Sequence, residues 1–535
     1  MGGPRVPPHR VSVTAAMPHV LVAGPRPAIP ARPARAVRVR LDRAALRGWH
    51  LRLLERLARR EDCRLSVEAV EGTTPALPAN AELLFRLEAT IHGLPRPGLS
   101  TLAAAGALAA YAAAEAGAPD LVIDLSGDGP AGEDGAVWRL DVDGVPGEAG
   151  LLASLFTGRI PVAALRDGQG AAVAAGRLGA ESQTVMLVAF EDYLARTITL
   201  IEAALSGGAS GDLPEGALAP LVPAGAFDID GWTVRRRAAE NLGRRIARRL
   251  YGLCFHGERW RVGWRRTQGA DLIDLRRHPP GGWTDLPDDG RRFYADPIAI
   301  ARNGSVTLFM EEFDYSRAKG VISALRFGPR GPVGRPEPVL ERDTHLSYPF
   351  VFEAGGEVWM IPESSRSATI DLYRATQFPG GWVHEAVLVE GVVASDATLV
   401  RHGGRWWLFA TVREGGGSFS DSLHLWHAAD FRGPWTAHPR NPVLIDVASA
   451  RPAGPIVLRD GALIRPVQDC RGGYGMALGL ARILRLDEDG YAQRVETRLA
   501  AGPDWPGSRL HMYSAAGGLE FIDGSRRPPM RLRRG

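Results

Sequence analysis

Lysine is all but missing from this chain: Lys319 stands alone among 64 Lys and Arg residues. With 64 glycines, 40 prolines and abundant alanine, the arginine excess reads as the composition of a GC-rich bacterial genome. The formal net charge is +4 over 535 residues. That is too small for a nucleic-acid-binding surface, and no nucleic-acid partner is expected. Cysteine is equally scarce. Cys63, Cys254 and Cys470 lie far apart, with no CxxC pair and no dense framework. This excludes a zinc knuckle and a disulfide scaffold and fits a reducing, cytoplasmic setting. No metal and no cofactor are expected. No apolar run reaches the roughly 18 residues of a membrane span; Leu102–Ala118 is Ala/Gly-rich and too weakly hydrophobic. Residues 1–36 are rich in Pro, Arg and Ala and lack the apolar stretch of a signal peptide. They read as a tail, with either Met1 or Met17 as the start.

A chain this long, 45% hydrophobic, predicts two or three domains. A repeat is present from residue 293 onward. Each copy begins with a short strand carrying a small or acidic residue, often beside Pro, then a Gly-containing turn, then a strand rich in Trp, Phe and Met. The copies are Phe293–Phe313, Leu346–Ser364, Ala394–Val412, Pro452–Cys470 and the shorter His511–Gly524. Counting from Asp296 to Tyr348, Asp396, Gly454 and Tyr513 gives steps of 52, 48, 58 and 59, the length of one four-stranded propeller blade. Asn303-Gly304, Gly355-Gly356, Gly403-Gly404 and Asp460-Gly461 supply the hairpin turns. The spacing predicts five blades over residues 258–526, followed by a basic tail at 527–535. The unmatched strand Arg259–Trp264 is expected to pair with Leu519–Asp523 and close the ring.

The first half alternates strand and helix patterns. Val37–Asp42, Cys63–Val70, Asp120–Ser126 and Ala136–Val142 read as strands, and Arg43–Arg60 has helical spacing of its apolar residues. An α/β domain with a parallel sheet is expected over 37–205. Residues 206–257 read as a Gly/Pro-rich linker followed by a basic amphipathic helix, Trp232–Tyr251. That helix is either a solvated connector or a peripheral contact with an anionic membrane.

The propeller half resembles the N-terminal domain of the plant glucosamine inositolphosphorylceramide transferases, itself similar to five-bladed arabinanase- and xylosidase-type glycoside hydrolases. The resemblance rests on Tyr294–Pro297, Phe309–Phe313, His345–Pro349, Ile361–Ser364, Ser395–Leu399, Trp406-Trp407 and Arg465–Cys470. It implies a fold and a sugar context. The plant proteins carry a separate glycosyltransferase domain, for which no room is expected after Arg526. The first half resembles, more weakly, a formyltransferase fold of the methionyl-tRNA or sugar-amine kind, through Asp120–Gly127 and Gly135–Leu140. Where that family needs Asn-x-His, this chain has Arg139-Leu140-Asp141, with Asp167 at the family's later Asp. A degenerate formyltransferase-like domain is expected, a nucleotide-sugar-binding α/β domain being the other reading.

Equivalent strand starts of a propeller converge on its axis. Glycosyl chemistry needs two carboxyl groups, and a third holds the acid's pKa up. The resemblance implies Asp296 as base; Asp396 and Glu363 are the candidates for modulator and acid. Glu312, His345, Tyr348, Arg465, Gln468 and Asp469 are candidate substrate contacts, and Trp426 a candidate sugar-stacking ring. The expected partner is a glycan or glycolipid. The readings that follow are a glycosidase-like or glycosyl-transfer activity in bacterial surface glycan or glycolipid assembly, a non-catalytic glycan-binding scaffold, or an N-formyl or N-acyl transferase acting on an amino sugar.

Overall fold

The computed structural model describes residues 34–526, except 75–76, 79, 112–116, 128–135, 183, 210–228 and 255–258. Most of the expected linker, the C-terminal tail and residues 1–33 of the expected N-terminal tail lie outside these residues; Arg35 and Ala36, expected in that tail, belong to the first strand.

The first half is one sheet flanked by helices. Its strands are β1 (Arg35–Asp42), β2 (Cys63–Val70), β3 (Leu121–Asp124), β4 (Ala136–Val142), β5 (Val145–Pro146), β6 (Val162–Arg166) and β7 (Ala172–Arg177). They run in the order β2-β1-β3-β4-β6-β7, with β5 on β4. The sheet is parallel through β2-β1-β3-β4 and antiparallel from β4 to β6 to β7, so it is mixed rather than wholly parallel. Asp143 is the physical reason. Buried, and in the left-handed region with φ 51°, it turns the chain tightly with Gly144 after β4. Its backbone N–H donates to the Val162 carbonyl and its Oδ1 accepts from the Val162 N–H, 2.9 and 3.1 Å. The start of β6 is thereby tied to the end of β4, which fixes the antiparallel sense.

The helices are α1 (Gly48–Ala58), α2 (Ala81–His92), α3 (Ala149–Thr157), α4 (Met186–Leu205) and α5 (Gly231–Cys254). α1 begins later than its apolar spacing predicts, because Asp42 Oδ1 accepts from the Ala44 N–H and holds the chain in a turn. α4 is apolar around most of its circumference and buried along nearly its whole length, as a central core helix must be. Trp49, Leu53, Leu57 and Phe85 fill the core around it, with Phe190 and Leu194 of α4 itself.

The second half is the five-bladed propeller. Blade one is β10 (Arg292–Arg302), β11 (Ser305–Asp314), β12 (Lys319–Gly328) and β13 (Gly331–Leu340). Blade two is β14 (Ser347–Ala354), β15 (Glu357–Glu363), β16 (Thr369–Gln377) and β17 (Gly380–Glu390). Blade three is β18 (Ala394–His402), β19 (Arg405–Val412), β20 (Ser422–Ala428) and β21 (Thr436–Ala437), with β22 (Leu444–Ile445) also on β20. Blade four is β23 (Val457–Arg459), β24 (Ala462–Asp469), β25 (Ala477–Asp487) and β26 (Gly490–Ala500). Blade five joins both ends of the repeat: β27 (Met512–Ala516) and β28 (Leu519–Arg526) continue into β8 (Arg259–Arg266) and β9 (Thr284–Asp285). β28 and β8 pair from Leu519↔Arg266 to Arg526↔Arg259, so the expected closure is present and the ring has no open edge there.

The two halves meet over a polar, buried contact. Arg196 of α4 pairs with Asp421 at 2.8 Å with both side chains fully buried. Arg177 at the end of β7 grips Asp446 with two bonds of 2.7 and 2.8 Å. Glu181 Oε1 accepts from the Ser418 hydroxyl and the Phe419 N–H at 2.9 and 2.8 Å.

Candidate functional site

The innermost strands of the first three blades share one irregularity. Their registers slip between Ala295 and Ile298, Ser347 and Phe350, and Ser395 and Thr398. The bulged residues are Asp296, Tyr348 and Asp396, with φ of 53, 40 and 55°. Gly454 holds the matching place in blade four, with φ 130°. A bulge strips its residue of a ladder partner, and a buried N–H needs one. Side chains supply it. The Asp296 N–H donates to Asp523 Oδ2 (2.8 Å), and the Tyr348 N–H to Asp296 Oδ2 (3.0 Å). The Asp396 N–H donates to Glu363 Oε2 (3.1 Å), and the Gly454 N–H to the Tyr348 hydroxyl (3.0 Å). Asp296, Tyr348, Asp396 and Glu363 are thus drawn together around the axis, and each bulge is stitched to a neighbouring or opposite blade.

Two cations stand among these acids. Arg451 Nε reaches Asp396 Oδ2 at 2.6 Å, and its Nη2 lies 3.6 Å from Glu363. The Gln468 amide also donates to Asp396 Oδ2, 2.9 Å away. His511 has Nδ1 at 2.6 Å from Asp523 and Nε2 at 3.3 Å from Asp296. Burial alone depresses its pKa, but the Asp523 charge and hydrogen bonds to both carboxylates prevail and raise it to about 10. His511 is therefore an imidazolium donating from both nitrogens. Burial pushes Asp296 up, yet the His511 hydrogen bond and charge hold it below the usual carboxylate range. Glu363 goes the other way. Burial first, then the Asp396 charge, raises it well above its ordinary value against the pull of Arg451. Glu311 is raised well above its ordinary value by burial and by the charges of Asp296 and Glu363. A carboxyl held low, Asp296, and two held high, Glu311 and Glu363, at one axis form a set suited to accept and to donate a proton.

Register explains the two Glu positions. Glu311 lies opposite Ala295, and Glu363 opposite Ser347, each partner being the residue before a bulge. Glu312, expected at the sugar, points to the other face of β11, where it binds Arg292 and the Ser323 hydroxyl. His345 is half-buried beside Glu311, with Nε2 3.3 Å from Oε1. Arg465, also expected at the sugar, is buried with its guanidinium on the Ser449 and Ala450 carbonyls and on Gln493. Asp469 is consumed by Arg471 and Arg498, at 2.7 and 2.5 Å. Trp426 is buried in the blade core and offers no stacking face. Sequence reasoning missed Arg451, Tyr474, His511, Asp523 and the choice of Glu311. Asp523 was findable, since it lies opposite Met512, the residue before Tyr513, as Glu363 lies opposite Ser347, the residue before Tyr348.

A cavity of about 460 Å³ opens above this floor. Glu363, Ser395, Arg451 and Tyr474 line it from the propeller, and Ala180, Glu181 and Thr184 from the first half. The Tyr474 ring lies under the Arg451 guanidinium, 4.8 Å from its centroid, and its hydroxyl is 3.2 Å from His511 Nε2. A second cavity of about 450 Å³ carries Arg317, Lys319, His345 and Arg366.

In the first half, the residues standing where a formyl-transfer site was expected are engaged in structural contacts. Asp141 binds Arg166 Nε at 2.5 Å, and Asp167 closes its own turn through the Gln169 and Ala171 N–H groups.

Residues 287–515 match the family model for glucosamine inositolphosphorylceramide transferase 1, N-terminal. The chain is 33% identical over 250 residues to glucosamine inositolphosphorylceramide transferase 1 of Oryza sativa subsp. japonica, covering 44% of this chain and 34% of the rice protein. It is 31% identical over 279 residues to the Arabidopsis thaliana protein of the same name, covering 49% of this chain and 36% of that one. The chain thus spans about a third of the length of these curated plant relatives. Among solved structures it is similar to a family 117 glycoside hydrolase from Zobellia galactanivorans, with 14% identity, a TM-score of 0.33 and coverage of 50% of this chain and 90% of that one. The similarity read from the YADP, SDATL and Trp406-Trp407 motifs is therefore shown for the propeller half.

Proposed function

We propose that the propeller funnel binds the terminal sugar of a glycan or glycolipid and carries out glycosyl cleavage or transfer on it. One observation carries the reading: Glu363 lines an open cavity with its carboxyl pushed well above the usual range, while His511 holds the Asp296 carboxyl at the same axis below it. In this account Glu363 gives a proton to the leaving oxygen, and Asp296 acts as the opposing carboxylate. Asp396 and Arg451 set the Glu363 proton by their opposed charges. The plant relatives' name, glucosamine inositolphosphorylceramide transferase, supports an amphiphilic sugar acceptor or donor.

The test is turnover of a panel of aryl glycosides and short glycans by the full chain and by Glu363→Gln and Asp296→Asn. Both variants are expected to lose turnover while glycan binding persists. Unchanged turnover in both would remove the funnel from the chemistry. A second reading, a glycan-binding scaffold, is favoured by a different observation: Asp296 and Glu363 also serve as acceptors for bulge N–H groups, a task that a non-catalytic propeller needs equally. Sugar binding by the wild-type chain with no turnover across the panel selects that reading.

A further inference from the structure

We propose that α5 is an interfacial anchor that lays the protein on an anionic lipid surface. The helix has two distinct faces. One docks on the first domain: Val234 is buried, Asn241 donates to the buried Glu88 at 2.7 Å, and the Arg237 guanidinium sits 5.3 Å from the Phe156 ring centroid. The other face carries an apolar stripe that the other described residues leave open. Leu242, Ile246 and Leu250 recur at every fourth position and are 50, 52 and 59% exposed, with Trp232 at 63% on the same side nearly three turns earlier. At 100° per residue, these four fall within about 80° of one another. Scattered exposed leucines need no explanation, but an aligned stripe that its own domain leaves open does.

The occupant follows from charge. Seven arginines and one glutamate lie between Trp232 and Tyr251. Arg249 and, further round, Arg245 border the stripe on one side and Arg236 on the other, while Arg235 stands within it between the Ile246 and Leu242 directions. Among the described residues Arg235, Arg245 and Arg249 meet no acidic partner, and Glu240 is shared by Arg236 and Arg244 at 3.8 and 3.6 Å. Leucine, isoleucine and tryptophan bordered by long cationic side chains suit the boundary between acyl chains and anionic headgroups, where arginine stems lie along the apolar layer and their heads reach phosphate. The chain's own ends complement this surface poorly, since residues 1–33 and 527–535 contain arginines and no acid. No helix among the described residues is long and apolar enough to cross a membrane, so the contact is one of lying on the surface.

Co-sedimentation of the full chain with vesicles of phosphatidylcholine, and of phosphatidylcholine mixed with phosphatidylglycerol, tests this. Binding is expected to the anionic vesicles, at least tenfold weaker to the neutral ones. The triple variant Leu242→Gln, Ile246→Gln, Leu250→Gln is expected to lose at least tenfold in binding, with an unchanged melting temperature. Failure of the wild-type chain to bind anionic vesicles overturns the proposal, as does equal binding by the triple variant. A lowered melting temperature in the variant shows that the chain covers its own stripe, and a dimer that the variant abolishes assigns the stripe to a second copy; either result also overturns it. Loss of vesicle binding leaves the funnel chemistry untouched, so the two readings fail separately.

Discussion

His511 shows how far one side chain's environment departs from its letter in the sequence. The ring has no exposed path to neutrality while both nitrogens face carboxylates. Its folded pKa of about 10 lies above the ordinary 6.5. Its contribution to stability is therefore complete below about pH 6.5 and is lost as pH rises towards 10. Glu311 and Glu363, also raised, act in the same direction. Thermal unfolding across that range should show stability falling with pH, by up to ~1.4 kcal/mol per unit for one group, and the slope should be reduced in His511→Gln. A flat profile in the wild-type chain would show that His511 is neutral. Arg451 allows a second residue-scale prediction. Replacing it by Met leaves Asp396 buried without its cation, which should cost about 3–5 kcal/mol in chemical denaturation; a loss under about 1 kcal/mol would mean that Asp396 is held by Gln468 alone. Asp296, Glu363 and Asp396 were legible from repeat position. The partners that set their charges were not, because Arg451 lies in the connection between blades three and four and His511 just before β27, both outside the strands, and His511 meets Asp296 only where blade five abuts blade one.

The bulge is the element that makes the site. Its trace in the sequence is a residue before Pro297, Pro349 and Pro455, and before Ala397. Proline lacks the N–H that a bulged ladder leaves idle, so it is tolerated there. Blade four needs glycine at this point: a Cβ on Gly454 would meet the Tyr513 carbonyl oxygen at 1.9 Å, with φ at 130°. Gly454→Ala should destabilise the propeller by more than the roughly 1 kcal/mol of an ordinary glycine substitution, read as a drop in melting temperature; a neutral variant would mean that the blade-four bulge relaxes freely. Strand identity and blade count were legible because period-2 alternation and Gly turns repeat along the propeller. The face of Glu311 against Glu312 was not legible, since a bulge of one residue inverts the alternation that side-chain reasoning relies on. The same limit applied to the first sheet. There the parallel strands were readable, while the antiparallel turn at Asp143 depended on a side-chain bond to Val162.

At the scale of the whole molecule, the first half is a wall of the funnel as well as a neighbour of it. Glu181 and Thr184 line the cavity, and Arg196–Asp421 and Arg177–Asp446 hold that wall in place. Nothing in either half's own pattern marks these pairs, because each joins residues more than 200 positions apart in chain order. A buried pair broken on one side leaves an uncompensated charge. Calorimetry of the wild-type chain should therefore show one cooperative transition, and Arg196→Met should split it into two; two transitions in the wild-type chain would mean that the halves are energetically separate. The central claim, however, is that the funnel acids do chemistry in addition to pinning the ring, and Glu363→Gln tests it most directly. Gln keeps a carbonyl oxygen for the Asp396 N–H and removes only the transferable proton. The account predicts that turnover of a glycan accepted by the wild-type chain falls by about 10²–10⁴, with binding of the same glycan and the melting temperature unchanged. Turnover equal to wild type would contradict it.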